Sequence, residues 1–111
     1  ISTNRDLDVD DNHLYVVGEG DVVYAIDRIS GKTVWEQDKL LNRRLTAPAA
    51  IGGHILVGDS EGYLHAINAR TGEIEGRMKT GSELLAQPVT RGQTAWVQNV
   101  DGDVIALRLA E

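Results

Sequence analysis

The residues with the clearest chemical potential are Gly58-Asp59-Ser60-Glu61-Gly62, because a serine between two glycines at this spacing is the pattern of a nucleophile elbow. In an elbow the serine sits on a sharp strand-to-helix turn, and the helix presents its Oγ and helps build the oxyanion hole. Here the flanks are "HILVG" and "YLHAIN", both of two-residue period, so a strand-turn-strand hairpin is expected instead. In a hairpin Asp59 and Ser60 can bond nearby backbone amides, and Gly62 supplies a positive φ. No catalytic role is assigned to Ser60 or to any other residue, and the chain is expected not to be an enzyme.

Three other sets of residues could carry chemistry. Asp6-Leu7-Asp8-Val9-Asp10-Asp11 opens like a calcium loop, but such a loop needs glycine at its sixth position and glutamate at its twelfth, where Asp11 and Val17 stand. Alternation along a strand places Leu7 and Val9 on one face and the carboxylates on the other, so a solvated acidic face is expected and no metal site. His13 and His54 fall at equivalent places in successive repeats, which holds them apart; His65 is expected close to Asp59 across its hairpin. Leu40, Leu41, Arg43 and Arg44 cluster in a connecting segment with the composition of a small protein-contact patch; the competing reading tucks both leucines under neighbouring structure.

Composition narrows the classes. Against 17 Asp and Glu the chain has 11 Lys and Arg, a formal charge of −6, which makes nucleic acid and anionic membranes poor partners. There is no cysteine, so no disulfide, thiolate zinc site or lipid-bearing cysteine lies in these residues. No apolar run approaches the ~20 residues of a membrane helix. The start "ISTNRDLDV" has neither an initiator Met nor the apolar stretch of a signal peptide, and reads as mid-protein.

The elements that must position these residues come from internal repetition. At an offset of 41, His13 meets His54, Val16 meets Val57, Ala25 meets Ala66 and Gly31 meets Gly72. At an offset of 40, Pro48 meets Pro88, Val57 meets Val97, Gly62 meets Gly102 and Ala66 meets Ala106. Within each unit, runs of two-residue period ("HLYVVG", "DVVYAID", "KTVWEQ" in the first) alternate with Gly- or Asx-containing turns, while "KLLNRRL" offers one helical turn at most. Short antiparallel strands recurring every ~40 residues are the mark of propeller blades. The expected fold is all-β: one partial β-propeller domain over 1–111, in repeats of about 5–41, 42–81 and 82–111, four-stranded and antiparallel, the last incomplete. Three blades cannot close a ring, so the isolated segment is expected to self-associate through uncovered blade faces or to be marginally stable.

The first unit contains Ala25-Ile26-Asp27-Arg28-Ile29-Ser30-Gly31-Lys32-Thr33-Val34-Trp35, of the form A-x-D-x-x-[ST]-G-x-x-x-W, which resembles the PQQ-like repeat of quinoprotein-like propellers. In that family the Trp docks against the next blade and a turn glycine lets the backbone approach it. The second unit keeps Ala66-Ile67-Asn68 and Thr71-Gly72 but has Gly76 in the Trp position, and the third keeps Ala106. The stretches "LLNRRLTAPAAIGGHILVGDSEGYLHAINARTGEI" and "AQPVTRGQTAWVQNVDGDVIALRL" are similar to the last blades of the BamB family. This resemblance implies about eight blades in the whole propeller. It also implies a scaffold lipoprotein at the periplasmic face of the outer membrane, held there by a lipid anchor outside these residues. Such a scaffold binds BamA periplasmic domains, and unfolded outer-membrane proteins as a further partner, without a cofactor, and helps outer-membrane β-barrels fold and insert. The alternative from the same repeat class is a segment of a PQQ-dependent quinoprotein dehydrogenase.

Overall fold

The computed structural model describes residues 7–84 and 86–109. Asp6 of the acidic stretch therefore lies outside the described residues. Among the described residues eleven strands form three antiparallel sheets. The first holds β1 (Asp8–Val9), β2 (His13–Val17), β3 (Val23–Asp27) and β4 (Thr33–Gln37) in that order. The second holds β5 (Ala49–Ile51), β6 (His54–Gly58), β7 (Tyr63–Asn68) and β8 (Ile74–Lys79). The third holds β9 (Val89–Arg91), β10 (Thr94–Gln98) and β11 (Val104–Arg108). The only helical element among the described residues is a 3-10 turn at Glu19–Asp21. Sequential strands pair as a meander, so each sheet is one blade.

Two-residue alternation gives every blade two faces, and the blades stack front to back. The front of the first blade (Tyr15, Val17, Val23, Ala25) meets the back of the second (Ile55, Val57, Ile67) in one buried cluster that also takes in Leu40 and Leu45. The front of the second (Leu56, Leu64, with Ala66 beside them) meets the back of the third (Ala95, Val97, with Ile105 and Leu107) in the other. Each fully buried aliphatic side chain contributes roughly 1.5–3 kcal/mol of transfer free energy, so these seams dominate the stability. The front of the third blade has no neighbour among the described residues: Val104 is 65% exposed and Trp96 36%.

Trp35 fastens the first seam. Its indole N–H donates to the Ala69 carbonyl at 2.9 Å, and Gln37 Nε2 donates to the Gly72 carbonyl at 2.7 Å. The turn that receives them is built by Asn68, whose Oδ1 accepts the N–H groups of Arg70 and Thr71. Asp27 does the same for Ile29 and Ser30 in the preceding blade, and those two bonds hold its carboxyl below the ordinary carboxylate value. Gly31 and Gly72 close the two turns at φ 75° and 81°. At Gly72 a second requirement is added, since a Cβ there would lie 2.6 Å from the Trp35 ring.

The acidic strand departs from expectation. Leu7 and Val9 are the exposed residues, while Asp8 and Asp10 turn inward and are hydrogen-bonded. Asp8 Oδ2 accepts the Ala50 N–H of the second blade at 2.8 Å, and Asp10 takes the Asn12 and His13 N–H groups and the Tyr15 hydroxyl. The alternation is as read, but the faces are reversed, because carboxylates on this innermost strand serve as acceptors for turn and cross-blade amides.

Two glycine substitutions separate the interlock from ordinary strand chemistry. Gly72→Ala is expected to lower stability by about 2–4 kcal/mol, combining a strained positive φ with a clash in a packed seam. Gly76→Ala, on strand β8 with open space where its Cβ would be, is expected to be neutral or stabilising by up to about 1 kcal/mol. Urea denaturation of the two variants beside the parent chain measures both.

Candidate functional site

Antiparallel order puts the β2–β3, β6–β7 and β10–β11 hairpins at one end of the blades, together with the β4–β5 connection that carries Leu40, Leu41, Arg43 and Arg44. This connection runs over the seam between the first two blades and is pinned from both sides. From the first blade, Asp21 accepts the N–H groups of Arg44 at 3.1 Å and Leu45 at 3.0 Å, and Gly20 accepts that of Asn42. From the second, the Ser60 N–H donates to the Arg43 carbonyl at 3.0 Å, and Thr46 exchanges bonds with Gly58. Asn42 and Arg44 adopt positive φ (60° and 56°), bending the chain enough to reach both.

The bend separates the two leucines. Leu40 is 3% exposed and belongs to the core of the seam, whereas Leu41 is 50% exposed. The contact patch read from composition is thus corrected at Leu40, which the seam takes because its apolar cluster continues beneath the loop. Leu41 and Arg44 face outward, and Arg43 is partly covered.

Arg43 reaches the buried centre of this end. Asp59, with no exposed surface, accepts the Glu61 and Tyr63 N–H groups through Oδ1 and faces His65 Nε2 at 2.8 Å through Oδ2. Arg43 Nη1 stands 3.6 Å from the same Oδ2. Burial by itself would raise the Asp59 carboxyl; the bonds from His65 and from the Tyr63 and Glu61 amides outweigh it and hold the carboxyl below its ordinary 3.8. One blade later Asn99 occupies the equivalent place and organises the Asp101 and Asp103 amides in the same way. What the second blade adds is the charge, and with it the attachment of the Arg43 loop.

Ser60 is a hairpin residue. No helix follows it, the Asp59–His65 bond uses His65 Nε2, and no hydrogen bond joins Ser60 Oγ to His65 among the described residues. The other imidazoles are also held: His13 Nδ1 lies 3.3 Å from the Tyr15 hydroxyl, and His54 Nε2 pairs with Glu75 at 2.8 Å. At the opposite end of the seam a cleft of about 300 Å³ is lined by Asp10, His13, Tyr15 and Arg70. There burial and the Asp10 bond push the Tyr15 hydroxyl well above its usual range, so it stays a proton donor. Among the described residues no three metal-ligating side chains converge. The blade-motif residues Ala25, Asp27, Gly31, Trp35, Ala66 and Gly72 all lie in seams or turns. The residue that sequence reasoning missed is Asp21, whose only signal was its place after Gly20 in a tight hairpin.

Asp59→Asn is expected to cost about 1.5–3 kcal/mol at pH 7, the range for a hydrogen bond to a charged group. Because the folded carboxyl lies below its unfolded value, its contribution is complete at neutral pH and is lost as pH falls below about 4 through the folded pKa. The parent chain should therefore lose stability over that acid range more steeply than Asp59→Asn, as thermal melts from pH 7 down to pH 2 would show.

Residues 18–111 match the family described as outer membrane protein assembly factor BamB. The BamB proteins of Alkalilimnicola ehrlichii and Escherichia coli are 43% and 39% identical to the chain over 92% and 93% of it. The chain spans only about a quarter of those relatives, 27% and 26% of their lengths. The crystal structure of BamB from Moraxella catarrhalis superposes with a TM-score of 0.90 at 28% identity, over 98% of this chain and 32% of that one. A quinohemoprotein alcohol dehydrogenase from Pseudomonas putida superposes at 0.78 over 97% of this chain and 20% of its own, with 23% identity, a likeness of fold alone. With its all-β blades, its Trp35–Gly72 interlock and these relatives, the chain belongs to the BamB family of outer membrane protein assembly factors.

Proposed function

We propose that these blades are part of a non-enzymatic scaffold that binds the periplasmic domains of BamA and helps outer-membrane β-barrel proteins fold and insert. The scaffold works at the periplasmic face of the outer membrane, tethered through a lipid anchor outside these residues. Stacked blades change shape little, so their loops are presented in a fixed arrangement, and preorganisation reduces the ordering penalty of docking. Unfolded outer-membrane proteins are a second class of partner, met through extended-chain contacts.

The observation that carries the reading is the β4–β5 connection. Asp21 from the first blade and the Ser60 N–H from the second fix its backbone, Asp59 holds the Arg43 side chain, and Leu41 and Arg44 are left exposed. Arginine is enriched at interfaces, and an exposed apolar side chain on a fixed backbone gives a partner apolar surface to cover. Leu41 is the apolar anchor here, and Arg44 supplies hydrogen bonds to acidic or carbonyl groups of the partner, while Arg43 stays with Asp59.

The paired substitution Leu41→Ala and Arg44→Glu alters only outward-facing side chains. Titrated by calorimetry against BamA periplasmic domains, it is expected to weaken binding by at least about tenfold, the loss of roughly 1.4 kcal/mol or more typical of a hot spot. Unchanged affinity would remove this loop from the interface, and no binding by the parent protein would remove the partner.

A further inference from the structure

Asp59 Oδ2 serves two basic side chains at once: His65 Nε2 lies 2.8 Å from it and Arg43 Nη1 3.6 Å. The Asp59 carboxyl is held below its ordinary value, so at neutral pH it is an ionised acceptor and the imidazole donates the shorter bond from Nε2. While His65 is neutral, the whole negative charge of Asp59 faces Arg43. A further proton, taken at Nδ1, neutralises the Asp59–His65 pair and sets an imidazolium beside the guanidinium.

Repetition marks these three groups as a set. One blade later the Val100 N–H donates to the Glu83 carbonyl as the Ser60 N–H donates to that of Arg43, and Val97 pairs with Ile105 as Val57 pairs with His65. The counterparts of Arg43, Asp59 and His65 are therefore Glu83, Asn99 and Ile105. The backbone fastening is kept, while the guanidinium, the carboxylate and the imidazole are exchanged together, so fastening the connection does not require them.

The other charged and titratable groups around His65 are Tyr63 on its own strand, Glu61 exposed on the hairpin, and Arg77, its partner across β7 and β8, whose guanidinium stacks 4.5 Å over the Tyr63 ring. Beyond the connection stands Asp21, which accepts the Arg44 and Leu45 N–H groups. Of the two bases on Asp59, Arg43 is the one that can leave, since its side chain is 35% exposed and that of His65 3%.

We propose that His65 is a proton switch on the β4–β5 connection: protonating it frees the Arg43 side chain from Asp59 and turns it outward. The backbone stays in place, because Asp21 and the Ser60 N–H hold it without the Arg43 side chain. Mild acid thereby adds a second guanidinium to the face that carries Leu41 and Arg44, which favours an acidic partner surface. Only this use of the released arginine rests on the docking role proposed above.

NMR of the parent protein reads the release with no partner present. The His65 ring and the Arg43 guanidinium are followed from about pH 8 to about pH 5, the range in which imidazoles as a class change charge and Asp59 stays ionised. The Arg43 signals are expected to move to those of a solvated arginine on the same curve as the His65 ring, while the Arg44 and Leu45 N–H groups stay protected from exchange. In His65→Gln, which still donates to Asp59 but takes no proton, the Arg43 signals should stay fixed. Coupling is reciprocal, so in Arg43→Gln half-protonation of His65 should move to higher pH, a second reading if the buried substitution does not fold. An Arg43 that stays fixed while His65 titrates, a His65 that takes no proton in this range, or an Arg43 shift that persists in His65→Gln would each overturn the proposal, as would a His65 titration unmoved by Arg43→Gln. Release of Arg43 in a protein whose BamA affinity ignores Leu41 and Arg44 would support the switch and overturn only the docking reading.

Discussion

A blade of four short strands has an apolar front and an apolar back, and neither can be left in water; the structure is organised by the need to stack one blade's front on the next blade's back. The first seam shows how that stacking is given a register. Trp35 fills the gap between outer strands, its indole N–H satisfies the Ala69 carbonyl, and Gly72 gives up a side chain so that backbone and ring can meet. Gln37 adds a second bond to the same turn. Apolar packing alone would tolerate sliding, whereas these directional contacts select one alignment of the two sheets.

The polar groups at the loop end depend on that alignment. Asp21 and Asp59 belong to different blades, yet both hold the β4–β5 connection, so the loop is fixed only when the seam is closed. A buried carboxylate is tolerated at Asp59 because two backbone amides, an imidazole and a guanidinium surround it. Asn99 shows that the same hairpin can be built with a neutral amide. The charge at Asp59 therefore serves the connection to Arg43 and not the hairpin itself.

Much of this was legible in the residues. The strands with clear alternation, such as His13–Val17 and Tyr63–Asn68, and the Asx turns at Asp27 and Asn68 follow from local chemistry. The innermost strands at Asp8–Val9, Ala49–Ile51 and Val89–Arg91 are two or three residues long, too short for a period to declare itself. The facing of Asp8 depends on the Ala50 amide, a partner far away in sequence. Leu40 and Leu41 are chemically identical neighbours, and only the positive φ angles at Asn42 and Arg44, imposed by bonds to two blades, send one inward and the other outward. At the candidate site, the pairing of His65 with Asp59 was readable across one hairpin, while Arg43 and Asp21 joined it through tertiary contacts that no local pattern encodes.

The central claim is that the Trp35 interlock is formed whenever the blades are folded, and its most direct measure is hydrogen exchange at the Trp35 indole N–H. The account predicts exchange only through global unfolding, with a protection free energy equal to that of the best-protected strand amides and falling in step with them in denaturant. Exchange through a low-energy local opening, with the strand amides still protected, would contradict it and leave the seam held by apolar packing alone.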